Sequence, residues 1–318
     1  MALEINKIHC MDALTGLRQM DDQSVNCIVT SPPYWNQRDY GVEGQIGMEK
    51  SPEEYIYHLT EIFHECKRVL RDDGTLWCNI GDTYFWSGRG GNNANILTEN
   101  WQLVYPHIKT YSNLKLKPKD LIGIPWMLAF ALRDDGWYFR KDIVWYKDNV
   151  KPESVKDRCT SSHEFILFMS KSVNYYYDYE AILEPAAYDG RKYTMNKGSQ
   201  KYKDMDGAAH ERWPYKISGP DGSDIPARNK RDVWIVSTKP FKEAHYACYP
   251  DTLIEPCILA GCPKGGVVLD PFMGAGTTAI VADRFNRSYI GFEINPEYIK
   301  IAENRIAKNQ PILKEKKS

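Results

Sequence analysis

Short apolar, strand-like runs alternate with amphipathic ones along most of this chain, and that alternation points to a layered α/β architecture with parallel strands. Leu3–Cys10, Val25–Val29, Thr75–Ile80, Val267–Leu269 and Ser288–Glu293 read as strands. Helical spacing fills the intervals. Asp12–Met20 sets Ala13, Leu14, Leu17 and Met20 on one face. Ser51-Pro52-Glu53-Glu54 is a capping box with proline at the first helical position, and Ile56, Leu59, Phe63, Cys66 and Leu70 recur behind it until Asp72-Asp73-Gly74 stops the helix. Ile124–Leu132 and Pro250–Ala260 read as helices, and Asn295-Pro296-Glu297 caps a last one. Trp137–Lys147 and Glu164–Ser170 read as paired strands of the same sheet.

The 318 residues, 42% of them apolar, suffice for one large domain or two modest ones. No apolar run approaches the roughly 20 residues that a bilayer span needs. Met1–Lys7 lacks a charged-then-apolar leader, so a cytoplasmic protein with no membrane attachment is expected. The eight cysteines form no CxxC pair and lie mostly in apolar runs, which suggests reduced, buried thiols and no metal centre. A net charge of −1 means that nucleic-acid contact must come from local basic surface. Ala187–Arg231 offers ten Lys/Arg against six Asp/Glu. That stretch and Tyr84–Lys117 are long, polar and poorly periodic, and such insertions are usually functional. Both are expected to face substrate, as insertions 84–117 and 187–231 within one domain over 1–318.

Val267–Leu269 runs into Asp270-Pro271-Phe272-Met273-Gly274-Ala275-Gly276-Thr277-Thr278. Strand, Gly-x-Gly, helix is a Rossmann-type first turn, whose glycines let the backbone turn tightly and approach a ligand. Glu293, at the end of the next strand, stands where an acid would hold ribose hydroxyls. Thr278 and Ala279 replace the third glycine of a dinucleotide fingerprint, and no lysine follows as in a phosphate-binding loop. Asp270 suits a cation better than a phosphate. A sulfonium cofactor carrying an α-amino group meets that requirement.

Thr30-Ser31-Pro32-Pro33-Tyr34-Trp35 follows another buried strand. Two prolines stiffen the loop. The Ser31 hydroxyl and the Pro33 carbonyl are acceptors spaced to bind the two hydrogens of an exocyclic amine. Tyr34 would stack on the attached ring, with Trp35 extending that wall.

Together these segments resemble the amino-methyltransferases of DNA that use S-adenosylmethionine, in the beta class, where the catalytic loop precedes the cofactor loop. The resemblance covers most of the chain. It takes in Thr30–Trp35, Gly74–Tyr84, Arg140–Ser154 with Trp145, Lys147 and Pro152, Lys230–Trp234, His245–Gly261, Asp270–Thr278 and Ile290–Tyr298. It implies a Rossmann-like methyltransferase fold: a mostly parallel sheet with one antiparallel strand, helices on both faces and long DNA-facing loops. It implies that Ser31, Pro32, Pro33 and Tyr34 are catalytic. Phe272, Gly274, Gly276 and Thr277 would surround the methionine part, Asp270 would lie near its amino group, Glu293 would hold the ribose and Asp12 would sit near the adenine. The implied substrate is double-stranded DNA with a flipped base; a cognate restriction endonuclease and a homodimer are compatible with it. The Ser form of the loop goes chiefly with N4 of cytosine and the Asp form with N6 of adenine, so Ser31 favours cytosine.

Other readings compete. Cytosine C5 chemistry needs a cysteine nucleophile, and Glu255-Pro256-Cys257 supplies a Pro-Cys pair, but inside a predicted helix. Methylation of RNA or of protein glutamine uses a related loop, more often with Asn at the Ser31 position. A DNA-binding module without catalysis would not require both loops intact.

Overall fold

One strand runs against its neighbours in an otherwise parallel sheet, and the parallel pairing of the strands before the two special loops brings those loops to one edge. The computed structural model describes residues 3–39, 41–42, 44–85, 116–186, 215–218, 222, 224–238 and 248–309. The chain begins β1 (Lys7–Cys10), α1 (Ala13–Arg18), β2 (Val25–Thr30), α2 (Pro52–Val69), β3 (Leu70–Ile80), α3 (Ile124–Asp134), β4 (Tyr138–Tyr146) and β5 (His163–Ser170). It continues β6 (Glu184–Pro185), β7 (Tyr215–Ser218), β8 (Asp224–Arg228), β9 (Val233–Ile235), α4 (Asp251–Gly261), β10 (Val267–Asp270), α5 (Thr277–Arg284), β11 (Ser288–Glu293) and α6 (Pro296–Asn309).

These elements divide into two units, Met1–Tyr177 with Asp232–Ser318, and Asp178–Arg231. The first holds an eight-stranded sheet in the order β1-β11-β10-β2-β3-β5-β4-β9. β5 is antiparallel to both β3 and β4, and every other pairing is parallel. Seven strands therefore end at the edge where β5 begins. In an open α/β sheet that edge is where ligands bind.

Alternate residues of a strand point to opposite faces, and β2 shows how both are covered. Ile28 joins the core containing Leu17 of α1, Tyr55, Leu59 and Phe63 of α2, and Leu128 of α3. Cys27 faces the other way, 3.0 Å from where a Cβ on Gly261 of α4 would stand. α2 forms as its sequence requires: the Ser51 hydroxyl accepts from the Glu54 amide at 3.2 Å, Pro52 opens the first turn, and Lys67 and Arg68 meet the negative end of the dipole. Its end differs from expectation. Asp72-Asp73-Gly74 lies within β3, which starts at Leu70 directly behind the helix. Gly74 permits this, since a Cβ there would stand 2.4 Å from Leu70 Cγ.

Between β3 and α3 a short ladder ties the chain to itself. Ile122 donates to the Thr83 carbonyl at 3.0 Å, Phe85 to Asp120 at 2.8 Å and Lys119 to Phe85 at 2.8 Å. Asp82 accepts from the amides of Gly123 and Ile124 at 3.0 Å and caps α3. Residues 86–115 of the first insertion leave from this ladder and lie outside the described residues.

The second unit carries an antiparallel sheet in the order β6-β8-β7. Glu184 accepts from Arg228 at 2.9 Å and Arg231 at 2.6 Å. This unit starts at Asp178, ahead of the insertion start expected at 187, and residues 187–214 lie outside the described set. Among the described residues no helix is long and apolar enough to cross a membrane.

Candidate active site

Four strand ends at the same sheet edge supply the expected residues: Asp12 follows β1, Ser31 follows β2, Asp270 ends β10 and Glu293 ends β11. β2 and β10 are neighbours, with Cys27 opposite Val268 and Ile28 opposite Leu269. Cys10 of β1 lies opposite Glu293. The two loops, more than two hundred residues apart in sequence, are joined by a buried hydrogen bond from Thr30 to Asp270 at 2.6 Å.

Asp270 is held from several sides. It is 1% exposed, and its Oδ1 accepts from Thr30 and, at 3.0 Å, from the Phe272 amide. Its Oδ2 accepts from Thr278 at 2.5 Å and from the Tyr249 hydroxyl at 3.1 Å. A carboxylate has about four lone-pair sites, and four donors occupy this one. These bonds tie the loop that Asp270 opens to β2, to α5 and to Tyr249. Burial pushes its pKa above the ordinary value, and these donors pull the other way.

Glu293 is differently placed. Its Oε2 accepts from the Gly274 amide at 2.9 Å and its Oε1 from the Asn295 amide at 2.8 Å, which leaves lone pairs on both oxygens. Burial raises its pKa. Gly274 is left-handed at φ +51°, and where its Cβ would stand the nearest atom is 3.9 Å away, so the loop is open there. Gly276, at φ +79°, has a different reason: a Cβ would lie 2.8 Å from Ala302 Cβ on α6. Thr277 is buried and its hydroxyl accepts from Arg305 at 3.3 Å. Phe272 is half-buried against the core. Asp12 caps α1, accepting from the Thr15 amide at 2.9 Å.

In the catalytic loop Ser31, Pro33 and Tyr34 are half-buried and Pro32 is buried. The Pro33 carbonyl accepts from the Tyr55 hydroxyl of α2 at 2.8 Å, so it is turned into the core. The Pro32 carbonyl has no such partner among the described residues. Trp35 is also corrected: it is 7% exposed, packed in the core, and its indole donates to the Glu49 carbonyl at 3.0 Å, so it does not extend the stacking wall.

Tyr34 is anchored at its tip. Its hydroxyl donates to Glu164 Oε2 at 2.6 Å and accepts from Asn79 Nδ2 at 2.6 Å, and the same amide donates to Glu164 at 2.9 Å. Lys147 donates to Glu164 Oε1. Burial, with the Glu164 charge beside it, pushes the Tyr34 pKa well up. A Cβ on Gly81 would stand 2.7 Å from Tyr34 Cε2, so only glycine lets the ring lie there.

Sequence reasoning missed Asn79, Glu164, Thr30, Tyr249 and Thr278. A signal existed for the first two: an amide inside Leu76-Trp77-Cys78-Asn79-Ile80 and a carboxylate opening Glu164-Phe165-Ile166-Leu167 are polar residues in buried strands. Cys257 is buried in α4, its thiol donating to the Leu253 carbonyl at 3.8 Å, so the Pro-Cys pair of Pro256 and Cys257 is not presented as a nucleophile for C5 chemistry.

The edge fits a nucleoside cofactor with a zwitterionic tail. Glu293 has acceptors to spare, Gly274 leaves space, and the loop from Asp270 to Thr278 has no basic residue to hold a pyrophosphate. Residues 25–304 match the family model described as DNA methylase, for N6 and N4 methyltransferases. The Type II methyltransferase M.Cfr9I of Citrobacter freundii is 48% identical over 93% of this chain and 85% of its own length. M.SmaI of Serratia marcescens is 41% identical over 96% and 91%. The solved PvuII cytosine-N4-specific DNA methyltransferase has the same fold, with a TM-score of 0.62 at 16% identity over 97% of this chain and 92% of that one. A putative DNA modification methylase of Thermus thermophilus, solved with S-adenosyl-L-methionine, aligns with a TM-score of 0.56 at 23% identity over 96% and 95%. With its amine-sized acceptor loop beside its nucleoside-sized one, this chain belongs to the S-adenosylmethionine-dependent DNA amino-methyltransferases of the N6/N4 family.

Proposed function

We propose that the chain methylates the N4 amine of a cytosine flipped out of duplex DNA, as the modification enzyme of a restriction system. The observation that carries this reading is the Thr30–Asp270 bond, which seats Ser31 beside the cofactor loop. The Ser31 hydroxyl and the Pro32 carbonyl accept the two amine hydrogens, and this localises the nitrogen lone pair. Tyr34 stacks on the base with its ring backed by Gly81. Glu293 takes the ribose hydroxyls, Asp12 lies on the adenine side, and Gly274 with Phe272 lines the methionine part. S-adenosylmethionine supplies the activated methyl group when bound. Alignment of nitrogen and methyl carries most of the rate, and no covalent enzyme intermediate is needed. Extrusion is required because the amine takes part in base pairing. The excursion rooted at Thr83–Ile122 and the unit Asp178–Arg231 contact the duplex, with basic residues on phosphates and polar ones on base edges. The protein acts in the cytoplasm alongside a cognate endonuclease, and a homodimer suits it.

Incubation with duplex DNA and the cofactor, followed by nucleoside mass analysis and sequencing of the modified sites, tests the reading. N4-methylcytosine at one recurring sequence is expected, and N6-methyladenine alone would move the assignment to adenine. Ser31→Ala is expected to lower single-turnover transfer about a hundredfold while cofactor affinity holds; unchanged transfer would remove Ser31 from the mechanism.

A further inference from the structure

A ring that supports a flat base must hold its plane, and a tyrosine side chain turns about both χ1 and χ2. Tyr34 is gripped at both ends. Its backbone follows two prolines, and its hydroxyl is tied to two neighbouring strands of the sheet.

The antiparallel strand supplies the second grip. Where the other strands of the sheet present their last residues, β5 presents its first. Glu164 lies opposite Trp145 of β4, and Asn79 of β3 lies opposite Ile166, which sets Asn79 diagonally across from Glu164 on one face. Lys147, two residues past Trp145, donates to Glu164 Oε1 with its Nζ 4.3 Å from the centre of the Trp145 ring. The Tyr34 hydroxyl donates to Oε2 at 2.6 Å, and the Asn79 amide donates to that hydroxyl at 2.6 Å and to Oε2 at 2.9 Å. Three side chains thus aim donors at one carboxylate. A Cβ on Gly81 would stand 2.7 Å from Tyr34 Cε2 and 3.4 Å from Glu164 Cγ, so the bare backbone leaves room for the ring and its anchor together.

Stability alone does not account for this cluster. Lys147 and Glu164 are 18% and 17% exposed, and taking an ion pair out of water costs about as much as the pairing returns. A carboxylate only accepts, so the Asn79 amide cannot be turned round. Its Oδ1 is then left buried with no partner among the described residues, in a side chain 3% exposed. Apolar side chains would avoid both losses. What the arrangement gains is a ring whose tip cannot swing.

We propose that Glu164, held by Lys147 and Asn79, is a positioning residue: it fixes the Tyr34 ring so that a base stacked on it keeps its amine in line with the methyl donor. This rests on the stacking role proposed above for Tyr34. Glu164 acts through the Tyr34 hydroxyl, so phenylalanine does not serve at position 34 although it stacks as well.

The test uses the full-length protein and two duplexes built on the site found by sequencing. One carries the target base, and the other an abasic position in its place. Affinity for both is measured with S-adenosylhomocysteine, which has no methyl group to transfer, and single-turnover transfer is followed on the first. Glu164→Gln and Tyr34→Phe are each expected to slow transfer about tenfold or more. Each is expected to weaken binding of the target duplex about threefold or more while the abasic duplex binds as to wild type. The double variant is expected to fall within about twofold of the slower single variant, because both changes cut the same link. If Glu164→Gln fails to fold, Tyr34→Phe, which removes one oxygen, is held to the same expectations, and Lys147→Met takes the other place in the cycle. Wild-type transfer in Tyr34→Phe or in a folded Glu164→Gln overturns the proposal. So does an equal loss on both duplexes, or a Glu164→Gln effect undiminished in the Tyr34→Phe background. Tyr34→Ala separates the two readings. If it slows transfer and weakens only the target duplex while Tyr34→Phe matches wild type, stacking stands and the anchor fails. If Tyr34→Ala matches wild type, both fail.

Discussion

Thr30 and Asp270 stand 240 positions apart and share a buried hydrogen bond of 2.6 Å. Thr30 is the residue before the catalytic loop, and Asp270 is the first residue of the cofactor loop. Through Oδ2 the same carboxylate reaches Thr278 at the start of α5 and Tyr249 ahead of α4. Four segments meet on one side chain, so the relative position of the two loops depends on it.

Asp270→Ala is therefore expected to lower cofactor affinity and methyl transfer together, with a loss of roughly 2–4 kcal/mol in stability from buried hydroxyls left without an acceptor. Thr30→Val removes one bond and is expected to cost about 1–2 kcal/mol. Denaturant unfolding, titration calorimetry and single-turnover assays measure the three quantities. A fall in affinity alone, with stability unchanged, would mark Asp270 as a direct ligand rather than a loop anchor.

Gly276 and Gly274 are expected to respond differently to alanine. Gly276→Ala forces a left-handed backbone and a contact of 2.8 Å with Ala302 Cβ, and is expected to destabilise by about 1–3 kcal/mol. Ala302→Gly in the same chain is expected to recover part of that. Gly274→Ala meets no close atom, so it is expected to cost only about 1 kcal/mol for its backbone while weakening the cofactor more strongly. Thermal unfolding with and without cofactor distinguishes the two.

Burial raises the pKa of Glu293 above its ordinary 4.5. A raised carboxylate favours the neutral form in the folded protein, so its contribution to stability is full below pH 4.5 and is lost as pH rises through the folded value. Binding runs the other way, because ribose hydroxyls need the ionised acceptor. Cofactor affinity is expected to fall as pH drops through the raised value, beginning above the usual carboxylate range. Glu293→Gln is expected to bind weakly with that step absent. Cofactor titrations from neutral pH down into the ordinary carboxylate range would show it.

His58 carries the opposite charge logic. A hydrogen bond to Glu49 raises its pKa above 6.5, helped by the charges of Glu49, Glu54 and Glu61 and opposed by partial burial. Its stabilising contribution is full below pH 6.5 and disappears as pH rises through the folded value. His58→Gln is expected to lower the melting temperature on the acid side and to match wild type on the alkaline side. The pair is partly exposed, so the effect is small and screened by salt. A pH-independent difference would show that the charge is irrelevant.

Part of the fold is legible because three strands run within a few residues into a proline that cannot continue them: Pro32 after β2, Pro271 after β10, Pro296 after β11. Glu293 and Gly274 are legible for the same local reason. What escapes is pairing between distant segments. Nothing near Pro33 in sequence reveals that Tyr55 takes its carbonyl, and nothing near Asp270 reveals that Thr30, Tyr249 and Thr278 fill its lone pairs. Leu70 reads as the tail of α2 because its apolar spacing suits either a last helical turn or a first strand residue.

The short ladder of Thr83 and Phe85 with Lys119, Asp120 and Ile122 closes the base of the excursion between β3 and α3. Because the ends are tied there, the sheet does not register how many residues lie beyond. A lineage of such enzymes is free to lengthen, trim or rewrite that outer stretch while the strand ends at the sheet edge inherit their positions untouched.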